Sequence, residues 1–132
     1  MSPRILVLHM TIRPRRSVLY MPGSNERALE KAKTLPADGL ILDLEDSVAP
    51  EAKDLARRQV AAAVKAGGFG PREVIVRVNG LDTEWAEADM AAVAQCGADA
   101  ILFPKIQSAD EVRKAVALMH RAGVSAPTPL WI

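Results

Sequence analysis

Five short apolar runs punctuate the chain: Ser17–Met21 (SVLYM), Leu40–Asp43 (LILD), Val74–Val78 (VIVRV), Ala100–Phe103 (AILF) and Leu130–Ile132 (LWI). Their centres, Leu19, Ile41, Ile75, Leu102 and Trp131, lie 22, 34, 27 and 29 residues apart. A parallel strand–helix–strand unit takes about 30 residues. The runs are continuously apolar instead of alternating, which is the pattern of strands buried on both faces.

Helical patterns fill the gaps. Ser24 is placed to cap a helix carrying Ala28, Leu29, Ala32 and Leu35. Pro50 suits a first helical position, Ala56, Val60, Ala63 and Val64 follow at helical spacing, and Gly67-Gly68 stops the helix. Thr83 or Asp82 caps a third helix with Ala86, Met90, Val93 and Ala94 on one face. Ser108 opens a capping box with Glu111, ahead of Val112, Ala115, Val116 and Met119, and Gly123 closes that helix.

The order is βαβαβαβαβ, an α/β fold with a parallel sheet. Two architectures compete: a small open doubly wound sheet, and the N-terminal half of a TIM (β/α)8 barrel with about four βα units and the start of a fifth strand. A whole barrel needs about 250 residues, and this chain has 132. The fifth run stops three residues after Pro129, where a strand typically runs about five or six. The half barrel is therefore expected, as a portion of a longer protein, with a basic arm over residues 1–14 and barrel over 15–132.

Composition narrows the function classes. Hydrophobic residues at 49% and charged residues at 25% exclude disorder. No apolar run nears the roughly 20 residues of a membrane helix, so no membrane role is expected. Basic and acidic side chains number 17 and 16, without the basic excess of a nucleic-acid binder. The one asymmetry is Arg4, Arg13, Arg15 and Arg16 in an acid-free first 16 residues, either a solvated tail or an attractor of anions. Met10 stands just ahead of the pattern, so residues 1–9 are read as an upstream extension. The single cysteine, Cys96, follows a helical pattern and reads as a buried structural thiol. One cysteine fits a reducing, cytoplasmic setting.

In parallel α/β folds ligands bind at the carboxyl ends of the strands. Those ends here read Met21-Pro22-Gly23-Ser24-Asn25, Asp43-Leu44-Glu45-Asp46-Ser47, Arg77 with Asn79, and Pro104-Lys105. The acids Asp43, Glu45 and Asp46 can bind a hard cation, fix waters or hold basic neighbours. Alternatively they pair with Arg77 or Lys105, while Asp46 or Ser47 caps the second helix. Arg77, inside a buried strand, must be paired or face a cavity, and a guanidinium grips a carboxylate bidentately. It reads as a ligand contact or as a structural partner of Asp43 or Glu45. Lys105 is either a Schiff-base lysine or a salt-bridge lysine. Arg27 and Lys31, one turn apart on the first helix, can both face a phosphate or simply be solvated. His9 and His120 receive no role, and Trp85 and Trp131 are expected to pack.

The strings Arg16–Gly23 (RSVLYMPG) and Asp38–Val48 (DGLILDLEDSV), with Val76–Asn79 (VRVN) and Phe103–Lys105 (FPK), resemble the citrate lyase β-subunit group of the HpcH/HpaI aldolase/citrate lyase superfamily. The resemblance implies a TIM barrel that breaks or forms a C–C bond beside a CoA thioester, with citryl-CoA, citramalyl-CoA and malyl-CoA as substrate types. It implies Arg77 as the catalytic, substrate-contacting arginine. Tyr20, Pro22 and Lys105 would contact substrate, and Arg27 and Lys31 would lie near CoA. It implies Mg²⁺ held by a glutamate and an aspartate from strands expected beyond Ile132, with Asp43, Glu45 and Asp46 near the metal's water shell. The second-strand motif has no histidine, which favours the CoA-ester branch over a metal-dependent 2-keto acid aldolase. A full-length relative is expected to be a homo-oligomer, and this chain alone is expected to be inactive. Competing readings are a small receiver-like α/β binding or regulatory module, and a half barrel that dimerises into an eight-stranded unit.

Overall fold

A computed structural model describes residues 12–132. Residues 1–11, including most of the expected basic arm, Met10 and His9, lie outside the described residues. Five strands form: β1 (Val18–Pro22), β2 (Gly39–Asp43), β3 (Glu73–Arg77), β4 (Ala100–Leu102) and β5 (Leu130–Trp131). Between them lie α1 (Glu26–Ala32), α2 (Lys53–Ala66), α3 (Ala86–Val93) and α4 (Ala109–Arg121). The expected apolar runs match the strands to within a residue or so at each end.

All pairings are parallel, and the spatial order is β1-β2-β3-β4-β5. A doubly wound sheet reverses direction across its first strand; this one never does. With right-handed crossovers, sequential order puts every helix on the same face. The core bears this out. Leu40, Leu42, Val74, Val76 and Ile101 of the sheet pack with Leu29, Val60, Met90 and Leu118 of the helices. The opposite face carries Ile41, Ile75, Ala100 and Leu102, joined by Val18 and Trp131, with no helical residue. The protein is the N-terminal half of a (β/α)8 barrel, and this second face is the barrel's inner wall.

Helix entry differs from expectation in four places. Asn25, not Ser24, caps α1, its Oδ1 accepting from the N–H of Ala28 at 3.0 Å, and the helix ends before Leu35. Neither Asp46 nor Ser47 caps the second helix. A single 3-10 turn, Pro50–Ala52, leads into α2 without a side-chain cap, because Ser47 turns back to Asp43. Nor does Thr83 or Asp82 cap α3; the Thr83 hydroxyl donates to the carbonyl of Gly80 at 2.7 Å. Ser108 caps α4 as expected, but the Glu111 carboxylate accepts from the N–H of Gln107, one residue before the box position.

The amino end of the sheet is tied by arginines from the basic first 16 residues. Arg15 donates to both carboxylate oxygens of buried Glu73 and stacks over Trp131, 4.8 Å from the ring centroid. Asp38 accepts from the backbone N–H groups of Arg16 and Ser17. This end of the segment is therefore no solvated tail.

Gly23 joins the carboxyl ends of β1 and β2. Its N–H donates to the carbonyl of Asp43 at 2.8 Å. A Cβ there would stand 2.5 Å from that carbonyl oxygen and 2.7 Å from Cγ2 of Val60, closer than atoms can approach. Gly23→Ala should therefore destabilise the fold by about 1–3 kcal/mol, read as a lower urea midpoint. An unchanged midpoint would contradict this packing.

Candidate active site

The strand register builds the site. Pro22, Asp43, Arg77, Leu102 and Trp131 are successive Cα partners across the sheet. Asp43 and Arg77 therefore meet at the carboxyl rim because the backbone pairs them. Nε of Arg77 donates to Oδ1 of Asp43 at 2.7 Å, and Nη2 donates to Oδ2 at 2.8 Å. Asp43 is fully buried. Oδ1 also accepts from the N–H of Glu45 at 2.9 Å, and Oδ2 from the N–H of Ser47 at 3.0 Å and its hydroxyl at 2.5 Å.

Burial pushes the Asp43 carboxyl up, but Arg77, Ser47 and the two backbone N–H groups outweigh it and hold the group at about 2. Arg77 is raised above its ordinary value, chiefly by the hydrogen bond to Asp43. Its guanidinium lies 4.6 Å from the centroid of the half-exposed Tyr20 ring, a cation–π stack. Nη1 approaches Oε2 of Glu45 at 3.4 Å. Of the five guanidinium N–H groups, two are committed to Asp43. The edge formed by Nη1 and the second Nη2 hydrogen is not bonded to Asp43 and meets only the longer Glu45 contact.

Glu45 is buried and holds three neighbours: Lys105 Nζ at 2.7 Å from Oε1, the N–H of Asp46 at 2.9 Å from Oε2, and Arg77. Lys105 is exposed, and the hydrogen bond to Glu45 raises it above the usual lysine value. Of the two alternatives, these contacts are those of a salt-bridge lysine. Its backbone lies at φ 58°, the left-handed region a lysine adopts at a cost. Asp46 is exposed, with Oδ1 3.6 Å from Lys105.

Two buried groups escaped the sequence analysis. Lys53, at the start of α2, donates to the carbonyls of Leu44 and Glu45 at 2.9 and 2.7 Å and lies 5.1 Å from the Trp85 ring centroid. Burial lowers its pKa, against the opposing pull of Asp43, Asp89, Glu45 and Asp46. A cation in the first turn runs against the helix dipole, which was the available signal. Asp89 of α3 is fully buried between Arg57, whose Nε donates at 2.9 Å, and Asn79. A carboxylate three residues after Ala86 on an apolar helix face could have betrayed it. Arg27 and Lys31 are exposed on α1, and among the described residues neither forms an ion pair. His120 is exposed, and burial raises the Cys96 thiol, as a structural cysteine requires.

Among the described residues no group of three or more acids, histidines or cysteines can hold a metal ion. The oxygens of Asp43 and Glu45 already serve Arg77, Lys105, Ser47 and backbone N–H groups. The acidic cluster does not fit direct coordination; it fixes the basic groups. No helix among the described residues is long and apolar enough to cross a membrane.

The HpcH/HpaI aldolase/citrate lyase family profile matches residues 16–125. The chain belongs to this family. It is 50% identical over 118 residues to a (3S)-malyl-CoA thioesterase of Cereibacter sphaeroides, covering 89% of this chain and 39% of that protein. To the citrate lyase subunit beta of Escherichia coli K12 it is 46% identical over 100 residues, 76% of this chain and 33% of the relative. The chain thus spans well under half the length of these curated relatives. The CitE protein of Mycobacterium tuberculosis, solved with magnesium, acetoacetate and coenzyme A, superposes with a TM-score of 0.67 at 29% identity, over 90% of this chain and 39% of that one. A Haloferax volcanii malate synthase shares the fold at a TM-score of 0.75 and 19% identity, over 90% of this chain and 40% of that one.

Asp43 supplies a pH test. Its folded pKa lies below the unfolded value of 3.8, so its contribution is present above pH 4 and is lost as pH falls toward 2. The size is about 2 kcal/mol. Asp43→Asn should lower stability at pH 7 by about 3 kcal/mol, since it leaves Arg77 poorly paired. It should also flatten the fall in stability between pH 4 and pH 2. A variant with the wild-type acid profile would contradict this role.

Proposed function

We propose that this family member acts in carbon–carbon bond cleavage of a hydroxyacyl-CoA of the malyl-CoA, citramalyl-CoA or citryl-CoA type, releasing acetyl-CoA or a similar thioester and a 2-oxo acid. What supports the reading is the Nη1/Nη2 edge of Arg77, which is not bonded to Asp43 and meets only a longer 3.4 Å contact from Glu45. Asp43 orients the guanidinium from one side, and the opposite N–H pair would bind the substrate carboxylate bidentately at the carboxyl rim. As the C–C bond breaks, charge moves onto oxygen, and the same fixed cation would stabilise it. Tyr20 and Pro22 would border the substrate, with Lys105 held beside it by Glu45. Arg27 and Lys31, on the helix after β1, would receive CoA phosphates. Magnesium accompanies CitE in its complex. The described residues are suited to standing behind such an ion, with Asp43, Glu45 and Asp46 acting through Arg77 and Lys105 instead of as ligands.

A second reading, hydrolysis of the thioester itself, is favoured by the 50% identity to the (3S)-malyl-CoA thioesterase. Product analysis separates the two: glyoxylate with acetyl-CoA for C–C cleavage, malate with free CoA thiol for hydrolysis.

The test is a titration of the 132-residue chain with (3S)-malyl-CoA in the presence of Mg²⁺. Binding should occur without robust turnover. Arg77→Lys, which keeps the charge and loses the fork, should weaken binding by about tenfold or more. Unaltered binding by a folded Arg77→Lys chain would overturn the assignment of Arg77. Robust turnover by the chain alone would overturn the view that direct metal ligands come from elsewhere.

A further inference from the structure

A second polar feature opens beside the Glu45–Lys105 pair. A cleft of 360 Å³ runs between the loops that follow β2 and β3, lined among others by Glu45, Lys53, Asn79, Trp85 and Lys105. Asn79 is only 2% exposed. Its amide Nδ2 donates to Oδ2 of Asp89 at 2.6 Å, and its backbone N–H donates to the same oxygen at 2.9 Å. Asp89 is itself fully buried and fixed by Nε of Arg57 at 2.9 Å.

The side-chain amide is thus clamped through its nitrogen, which settles where its oxygen must face. Among the described residues no donor reaches Oδ1 of Asn79. Asn79 lines the cleft, and with Nδ2 held on Asp89 its Oδ1 is the end of the amide left for a donor brought by a ligand. A carboxamide held on a buried aspartate–arginine pair is preorganised: rotating it away would break a charge-assisted hydrogen bond inside the protein. What it presents is a fixed neutral acceptor, and an acceptor in that position rejects ligands that bring no donor, because its own desolvation is then uncompensated.

We propose that Asn79 is a specificity-determining residue whose Oδ1 accepts a hydrogen bond from a neutral donor of the bound acyl-CoA, with Asp89 and Arg57 as positioning residues behind it. The inference rests on the acyl-CoA reading and deepens it. Such a ligand offers two donors of this chemistry, a hydroxyl on the acyl group and an amide N–H of the pantetheine arm.

The experiment titrates the 132-residue chain with (3S)-malyl-CoA, succinyl-CoA, which lacks the hydroxyl, and CoA. Wild type is compared with Asn79→Ala and Asp89→Asn. Asn79→Ala leaves Asp89 with Arg57 and a backbone N–H, so the fold should survive, checked by near-UV dichroism. Asp89→Asn unclamps the amide and carries the test if Asn79→Ala does not fold. The expected result is at least a tenfold loss of affinity in Asn79→Ala and a smaller loss in Asp89→Asn. A loss confined to malyl-CoA assigns the donor to the hydroxyl; an equal loss with all three ligands assigns it to pantetheine. Folded variants that bind all three as wild type does overturn the inference while leaving the acyl-CoA reading intact. If wild type binds none of the three, that reading fails and this one with it.

Discussion

The bidentate pair between Asp43 and Arg77 is the constraint around which the carboxyl end of the sheet is organised. It is set by register: Asp43 and Arg77 are backbone partners on adjacent parallel strands, and a one-residue slip would send one side chain into the helix-covered core. The aspartate pulls the following loop into a tight turn by accepting from the N–H groups of Glu45 and Ser47. Glu45, placed by that turn, fixes Lys105 from β4's end. One buried carboxylate thereby couples three strands.

Burying so many ions at a rim is tolerable only because each has more than one partner. Asp43 accepts five hydrogen bonds, which overcomes the cost of its burial. The Lys53 amine donates to the carbonyls of Leu44 and Glu45, with nearby acids opposing the effect of its burial. Asp89 is shared between Arg57 and Asn79. Mutual restraint of this kind keeps side chains at fixed positions, as the ligand roles proposed for Arg77 and Asn79 require.

Much of this was legible in the residue pattern. Strand spacing and unbroken apolar runs indicated a parallel barrel portion, and sequential strand order bears that out. The residues at the strand ends pointed to Asp43, Glu45, Arg77 and Lys105 as neighbours. Periodicity could not decide whether the acids wait for a cation or serve the bases, because that depends on which oxygens are already bonded. Arg15, counted only as part of a basic N-terminal stretch, closes the sheet's amino end through Glu73, a contact across 58 positions that no local pattern encodes. Caps went astray for the same reason: Ser47 and Thr83 had the right chemistry for helix starts but nearer acceptors elsewhere. Lys53 and Asp89 leave only faint marks in the sequence, a cation in a helix's first turn and a carboxylate on an apolar helix face, and their partners come from packing.

The most direct test of this account is a crystal structure of the chain bound to (3S)-malyl-CoA or malate. The account predicts a ligand carboxylate within about 3.2 Å of Nη1 and Nη2 of Arg77, while Nε and Nη2 remain on Asp43. A carboxylate bound away from Arg77, or one that displaces Asp43 from it, would contradict the claim that Asp43 holds this guanidinium in place for its ligand.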